Sequence, residues 1–444
     1  MATILILVLP LPSHINGHAL LAANLQARGH TVVFGAMEDA LNRLQAFGLT
    51  CIPFFSSRLP AGKMSNWLSG EMNRGGWRGK LDYLLQERQK FIDHENFVED
   101  LIAGGYQEFL DAVKRLNPAL ILVDNGLHTY WALMAAMAGV PAAYTSLLLP
   151  IAEDAVVPPL GSLLYPASDF RSKFQVALAW RSHFAARWLR TSLMRLAGIP
   201  DPIANFRRMA RVTGYPLRKL NVRTLLFPVL DLPTVILCPR EFDFPEAQAH
   251  RAAFYAESLV NLDRPEPEFP WDQLNAAKKL VYCSLGSVAY NRFFFQNVLD
   301  AVSQEPDWQL VLNIGTAFSA ADFERLPPGA ILVNGAPQLG LLRRAAAMIN
   351  HGGINSVREC ILFGVPQVVF PIFFDQFGSA ARVQFHELGV VGDFAKASID
   401  GVHRLLSQVL NDPGFLSRSK KMSAVFQTRE KEQPSVAFVE SLLG

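Results

Sequence analysis

The sequence predicts an α/β protein of two facing doubly wound domains, with a helical insertion in the first and a cleft between them. Three observations carry this. At 444 residues the chain is too long for one ordinary core, and with half its residues apolar and 18% charged it has a globular composition. Short Val/Ile/Leu-rich runs bounded by turn residues alternate with helical patterns, as parallel strands do when helices cover both faces of their sheet. One piece of grammar also occurs twice. A strand ending near Asp124 or Asn350 leads to a helical stretch, a Gly-Val-Pro turn (Gly139-Val140-Pro141, Gly364-Val365-Pro366) and a second strand. In each copy glycine ends the helix in a left-handed turn and proline stops it resuming.

In chain order, the first strand is expected at 4–9. Its apolar run is short and lacks the basic flank and small-residue cleavage site of a signal peptide. Strands at 31–35, 119–123, 142–148 and 234–238 continue the first sheet. The uncharged stretch 132–152 is long enough for a bilayer, but Gly139, Pro141 and Pro150 interrupt it, so no transmembrane segment is expected. A helical insertion is read at 150–230. The linker is read within 240–250, dividing the chain into domains 1–245 and 246–444, with the last helix returning to the first domain. The second half offers strands at 280–284, 309–314, 330–333, 348–350 and 367–371. Its Asp263-Arg264-Pro265-Glu266-Pro267-Glu268-Phe269-Pro270 reads as a stiff loop.

A net charge of +2 gives no overall signature of a nucleic-acid binder. Cys51, Cys238, Cys283 and Cys360 lie far apart with no CxxC pair. That argues against a zinc knuckle or disulfide framework and suits a reducing cytoplasm.

Three stretches can do chemistry. His351-Gly352-Gly353-Ile354-Asn355-Ser356-Val357-Arg358-Glu359 follows a strand, and its glycines let backbone approach a ligand. A helix starting near Asn355-Ser356 would offer free N–H groups and a positive dipole end to a diphosphate. His351, Asn355 and Ser356 would add donors, and Glu359 could accept from ribose hydroxyls. Simple capping by Asn355 or Ser356 is the alternative. An esterase oxyanion hole is set aside because no G-x-S-x-G supplies a nucleophile. Next, Asp375-Gln376 pairs a carboxylate with an amide, which suits two sugar hydroxyls, or else is a surface turn. Finally, His14 in the loop after the first strand is placed to remove a proton near pH 7, and Asp124, ending another strand, could fix its tautomer. A surface histidine is the competing reading, and His18 competes for the role.

These residues resemble a known family. Gly335-Ala336-Pro337-Gln338 through Asp375-Gln376 is similar to the donor box of family 1 inverting glycosyltransferases, nucleotide-sugar enzymes of Rossmann-like two-domain (GT-B) fold. Ser13-His14-Ile15-Asn16 and Val281-Tyr282-Cys283-Ser284-Leu285-Gly286-Ser287 resemble their first loops. Ser13-His14, residues 238–245 and Asp375-Gln376-Phe377-Gly378 look most like bacterial zeaxanthin (carotenoid) glucosyltransferases. The resemblance implies His14 as base with Asp124 as its partner. It implies diphosphate contacts from His351, Gly353, Asn355, Ser356 and Ser287, and ribose contact from Glu359. Ala336 and Gln338 fall at the base and ribose, and Asp375 and Gln376 at the hexose. One departure stands out: Gly335 occupies the place of the family's base-stacking aromatic, which leaves the preference between UDP and dTDP open.

Inverting, metal-independent transfer of a hexose follows as the expectation, with glucose from UDP-glucose as the donor and no cofactor or metal. The expected acceptor is a hydroxylated apolar molecule such as a carotenoid or polyphenol, held by Trp67, Trp77, Leu147-Leu148-Leu149, Val156-Val157 and the stretch from Phe170 to Trp188. Rival readings are a nucleotide-sugar 2-epimerase and a catalytically inactive binding or helper protein. The basic stretch 169–195 groups apolar residues on one side of a helical wheel. It raises peripheral contact with the inner membrane face, against simple packing on its own domain.

Overall fold

The structure is a computed structural model that describes the chain except residues 57–61, 63–88, 90–91, 127–128, 167–168, 197, 199–200, 248–252 and 287–290. Strands β1 (Thr3–Leu7), β2 (Thr31–Ala36), β3 (Thr50–Pro53), β4 (Leu120–Asp124) and β5 (Ala142–Ser146) come first, then the hairpin β6 (Leu220–Asn221) and β7 (Val229–Leu230). β8 (Thr234–Ile236) and β9 (Ala253–Tyr255) complete the first sheet, in the parallel order β3-β2-β1-β4-β5-β8-β9. The second sheet uses β10 (Lys279–Ser284), β11 (Trp308–Asn313), β12 (Ile331–Val333), β13 (Ala347–Asn350), β14 (Gln367–Val369) and β15 (Gly389–Val391) in the parallel order β12-β11-β10-β13-β14-β15. Both sheets grow outward from their first strand, then reverse. The reversal falls between β1 and β4 in one and between β10 and β13 in the other, and there the loops part to leave a crevice at the strands' carboxyl ends.

Helices α1 (Pro12–Ala27), α2 (Glu38–Ala46), α3 (Tyr106–Leu116), α4 (Thr129–Ala136), α5 (Phe170–Leu196) and α6 (Pro202–Thr213) belong to the first half. The second half has α7 (Arg292–Val302), α8 (Gln338–Leu342), α9 (Ile354–Leu362), α10 (Gln376–Phe385), α11 (Ile399–Asn411), α12 (Pro413–Glu432) and α13 (Pro434–Ser441). The two-residue strand period decides which core each side chain joins. Ile4, Ile6 and Val8 pack with Leu21 of α1 and Leu44 of α2, while Leu5, Leu7 and Leu9 pack with Phe109 of α3 and Trp131 of α4. Val281 and Cys283 of β10 likewise face α7, and Leu280 and Tyr282 face α8. Burying each such large side chain stabilises by about 1.5–3 kcal/mol before entropy is counted.

A further apolar core crosses the domain boundary, joining Ile236, Cys238 and Phe242 to Ile354, Val357 and Phe426. Two buried arginines rivet it. Arg358 of α9 donates to the carbonyl of Leu237, and Arg382 of α10 pairs with Asp243 at 2.6 Å. The chain then crosses back, and Val436 and Val439 of α13 complete the core that contains Ile4 and Ile6.

The duplicated grammar takes the backbone it requires: φ is 76° at Gly139 and 67° at Gly364. Other details differ from the sequence reading. The sheets gain β3, β9 and β15, and β9 carries the first sheet past the division read at 245/246. The insertion holds the β6–β7 hairpin as well as helices. Pro12 at the first position starts α1 before His14, so His14 lies in the helix's first turn and not in a loop.

Candidate active site

His14 and Asp124 meet at the first sheet's reversal point because one follows β1 and the other ends β4. The Nδ1–H of His14 donates to Asp124 Oδ2 at 2.7 Å, with the carboxylate fully buried. The same carboxylate accepts from the Leu9 N–H at 3.1 Å and the Gly126 N–H at 2.9 Å. Burial alone would raise this carboxyl. The charge and hydrogen bond of His14, aided by His18 and the Gly126 N–H, outweigh it and hold Asp124 at about 2. A carboxylate ionised at neutral pH can only accept, so the proton between them sits on Nδ1, and in the neutral ring the free lone pair is the one on Nε2. Gly126 is a residue the sequence reading missed. A Cβ there would stand 2.4 Å from His14 Cε1, so only glycine lets the backbone close over the ring. His18 is fully buried, its Nδ1–H on the His14 carbonyl at 2.8 Å and its Nε2 accepting from Thr145 Oγ1 at 2.6 Å. It supports His14 and does not compete with it.

On the facing sheet, His351 follows β13 at the second reversal point. Its ring lies between two glycines: a Cβ on Gly286 would come within 2.7 Å of it and one on Gly353 within 2.5 Å. Burial lowers its pKa to about 4, so it is neutral at pH 7, and its Nδ1 has no partner among the described residues. The helix α9 begins at Ile354 with Gly353 as its N-cap and no side-chain capping bond. Asn355 and Ser356 are therefore first-turn residues and not caps, which removes the capping alternative. Asn355 Oδ1 accepts from Arg358, leaving its NH₂ free to donate. Ser287 lies outside the described residues.

Glu359 is buried and already engaged. Arg264 grips its carboxylate with two N–H groups, and Gln338 Nε2 donates to Oε2 at 2.6 Å. Arg264 comes from the proline-rich loop, which is tied to α8 and α9 at several points. Glu266 accepts from the N–H groups of Leu339 (2.6 Å) and Gly340 (3.0 Å) at the start of α8, and Trp271 packs on Gly340. Beside Gly335, which is exposed, a Cβ would meet only Pro267 Cγ at 3.9 Å. Ala336 is half-buried one residue on.

Asp375 precedes α10 and its side chain makes no capping bond. Burial raises its carboxyl to about 6, against the pull of the His14 charge. That interaction puts the two domains' site residues within electrostatic reach of one another. Gln376 uses its side-chain carbonyl on the N–H groups of Ile372 (2.9 Å) and Phe373 (3.1 Å), which leaves its NH₂ to donate elsewhere.

The residues expected to hold an acceptor divide. Leu147 and Leu149 are core, whereas Leu148 lines a cavity of about 190 Å³ with Asn125, Tyr144 and Ser146. Val157 and Trp180 line a narrow crevice against Asp243 and Arg382. Much of the stretch from Phe170 to Trp188 faces solvent, and Trp67 and Trp77 lie outside the described residues.

Two facing doubly wound sheets with a hydrogen-bonded histidine and carboxylate at one reversal point and a histidine-glycine helix start at the other define the GT-B class of fold. Solved structures agree over the whole chain. The kitacinnamycin glycotransferase superposes with a TM-score of 0.68 at 19% identity, covering 100% of this chain and 99% of that one. The calicheamicin glycosyltransferase CalG4 gives 0.67 at 18%, covering 100% and 98%. By sequence, the family described as "UDP-glucoronosyl and UDP-glucosyl transferase" matches residues 221–437, which hold the second sheet and its helices. The oleandomycin glycosyltransferase of Streptomyces antibioticus is 31% identical over 36% of this chain and 38% of its own length. The NDP-glycosyltransferase YjiC of Bacillus licheniformis is 28% identical over 47% and 53%. The chain thus spans about half or less of the length of these curated relatives.

Proposed function

We propose that the protein is an inverting glycosyltransferase, moving a hexose from a nucleotide sugar to a hydroxyl of an apolar small molecule. The observation that carries this is the buried Asp124 holding His14 in one tautomer, with Asp375 of the second domain within electrostatic reach of His14. In this reading His14 Nε2 takes the proton of the acceptor hydroxyl. The freed oxygen bonds to the anomeric carbon as the bond to the nucleoside diphosphate breaks on the opposite side, so a single displacement inverts the centre. The leaving diphosphate gathers charge beside the uncapped N–H groups of α9 and the neutral His351, which supply the stabilisation without calling on a metal. Asp375 and the Gln376 NH₂ bond the hexose. Glu359 Oε1 has one lone-pair site beyond its bond to Arg264 and so can accept one ribose hydroxyl.

UDP-glucose is the donor we assign, with dTDP-sugars accepted because Gly335 offers no ring to select the base. A similar solved structure, the spinosyn rhamnosyltransferase SpnG, is complexed with thymidine diphosphate. The acceptor we assign is a carotenoid or polyphenol alcohol, and the four unpaired thiols suit a reducing cytoplasm. The test is turnover of UDP- and dTDP-glucose against a panel of hydroxylated apolar acceptors, with the product's anomeric configuration read by NMR. A β-glucoside from an α-donor supports the proposal. Epimerised nucleotide sugar would favour the 2-epimerase. Donor binding with neither transfer nor hydrolysis would favour the inactive helper.

A further inference from the structure

The surface of α5 is unlike that of the other described helices. About 40 Å long at 1.5 Å per residue, it buries only Val176 and Trp180. Its inner side is firmly attached: Trp180 Nε1 donates to the Val157 carbonyl at 3.0 Å, and Arg187 donates to the carbonyls of Thr224 (2.9 Å) and Val222 (2.8 Å). Arg187 is therefore a structural residue. The outer side carries Phe170, Phe174, Leu178, Trp188, Leu189 and Leu193, each 54–86% exposed except Leu178 at 53%. Monomeric proteins rarely present a run of large apolar side chains on one helix without a partner for it. Exposed Arg171, Arg181 and Arg190 are interleaved with these residues, and the helix contains no acidic residue.

We infer that the outer face of α5 lies on an anionic lipid surface, its rings and leucines in the headgroup boundary and its arginines on lipid phosphates. The charge pattern favours lipid over a second copy of the chain. A symmetric contact would set Arg171, Arg181 and Arg190 of one copy against the same residues of the other, with no carboxylate on the helix to pair them. No described helix is long and apolar enough to cross a membrane, so the contact is one of lying on the surface. Trp188 is the residue type that settles at such an interface. The use made of this contact rests on the transferase reading: an apolar acceptor dissolved in a bilayer is collected there.

The test is co-sedimentation with vesicles of phosphatidylcholine containing about a quarter phosphatidylglycerol, alongside phosphatidylcholine alone, across a salt series. Wild type should pellet with the anionic vesicles at low salt and release as salt rises. Each exposed arginine is expected to contribute about fivefold in partitioning, equivalent to about 1 kcal/mol. Arg171→Gln with Arg190→Gln should weaken binding by about 30-fold, and Phe174→Ser with Trp188→Ser by at least tenfold, with UDP affinity and melting temperature unchanged. Wild type left in the supernatant, or binding insensitive to both pairs of substitutions, would overturn the inference. So would a dimer on gel filtration that Trp188→Ser dissociates, since the face would then be a protein interface. A second arm compares transfer to a vesicle-embedded alcohol with transfer to a water-soluble phenol. The variants should slow only the first. If neither acceptor is glycosylated the transferase reading fails, while the vesicle result still decides the membrane one.

Discussion

At the scale of single residues, the site depends on a few atoms held in place by buried neighbours. His14→Ala should lower turnover by roughly 10²–10⁴ with UDP affinity nearly intact, because a base acts on the transition state and not on the donor. Gly126→Ala should do similar damage without removing any functional group, since its Cβ would displace the imidazole; comparing kcat with UDP affinity checks both. Asp375, raised by burial to about 6, titrates within an accessible range. Each oxygen of the ionised carboxylate can accept from a sugar hydroxyl, whereas protonation turns one of them into a donor and removes the charge, so donor affinity should rise as pH passes upward through about 6. Calorimetry on Asp375→Asn should find that dependence flattened. That His14 and Asp124 would meet was legible because position at a strand end and residue chemistry agreed. Gly126 and Arg264 were not, for a glycine after Asp-Asn or an arginine in a proline-rich loop has no periodicity to mark the side chain it will meet.

Among the elements, the proline-rich loop that carries Arg264 is the part whose role was least visible in advance. Its stiffness could be read from its prolines, but its destination is set by Glu266, which binds two backbone N–H groups of α8 across 73 and 74 positions. Glu266→Ala should free the start of α8, costing about 1 kcal/mol as the loss of a helix cap does. It should also raise the donor KM more than it lowers kcat, a split that steady-state kinetics will register. The interior strands were legible from their continuous apolar runs. β3 and β9 were not, because an edge strand with partly exposed residues and, in β3, a terminal proline reads as turn. α1 starts earlier than its apolar run Ala19-Leu20-Leu21 indicates, because the fixed φ of Pro12 opens the helix.

On the scale of the molecule, the two segments that cross between the domains are stitched to each other reciprocally. Glu257 accepts from the Ser435 N–H at 2.9 Å, and Glu430 from the Ser258 N–H at 2.8 Å, each with the serine hydroxyl as well. Burial, chiefly, raises both carboxyls, Glu430 to about 7, with Glu257 adding repulsion at Glu430 and Arg358 opposing it. A folded-state pKa above the unfolded value means stability that is full below about 4.5 and is lost as pH rises towards about 7. Glu430→Gln should therefore flatten the fall in melting temperature between pH 5 and 8, as scanning calorimetry of the two proteins will measure. The crossing itself was legible only as a last helix returning to the first domain. Which carboxylate meets which serine depends on a geometry that spans 172 and 178 positions of sequence.

That return has a bearing on how the chain is made. The core under β1 closes only when α13 arrives, and His30 meets Glu440 across 410 positions. At about 5–20 residues per second, a ribosome needs on the order of 20–80 s to span that interval. From the completion of β9 onward the first domain has every strand it needs and still shows an open apolar seam where Val436 and Val439 will sit. The domain that is synthesised first is thus the one that finishes folding last. A nascent chain stalled before α13 presents a ready substrate for chaperones rather than a closed domain awaiting its partner.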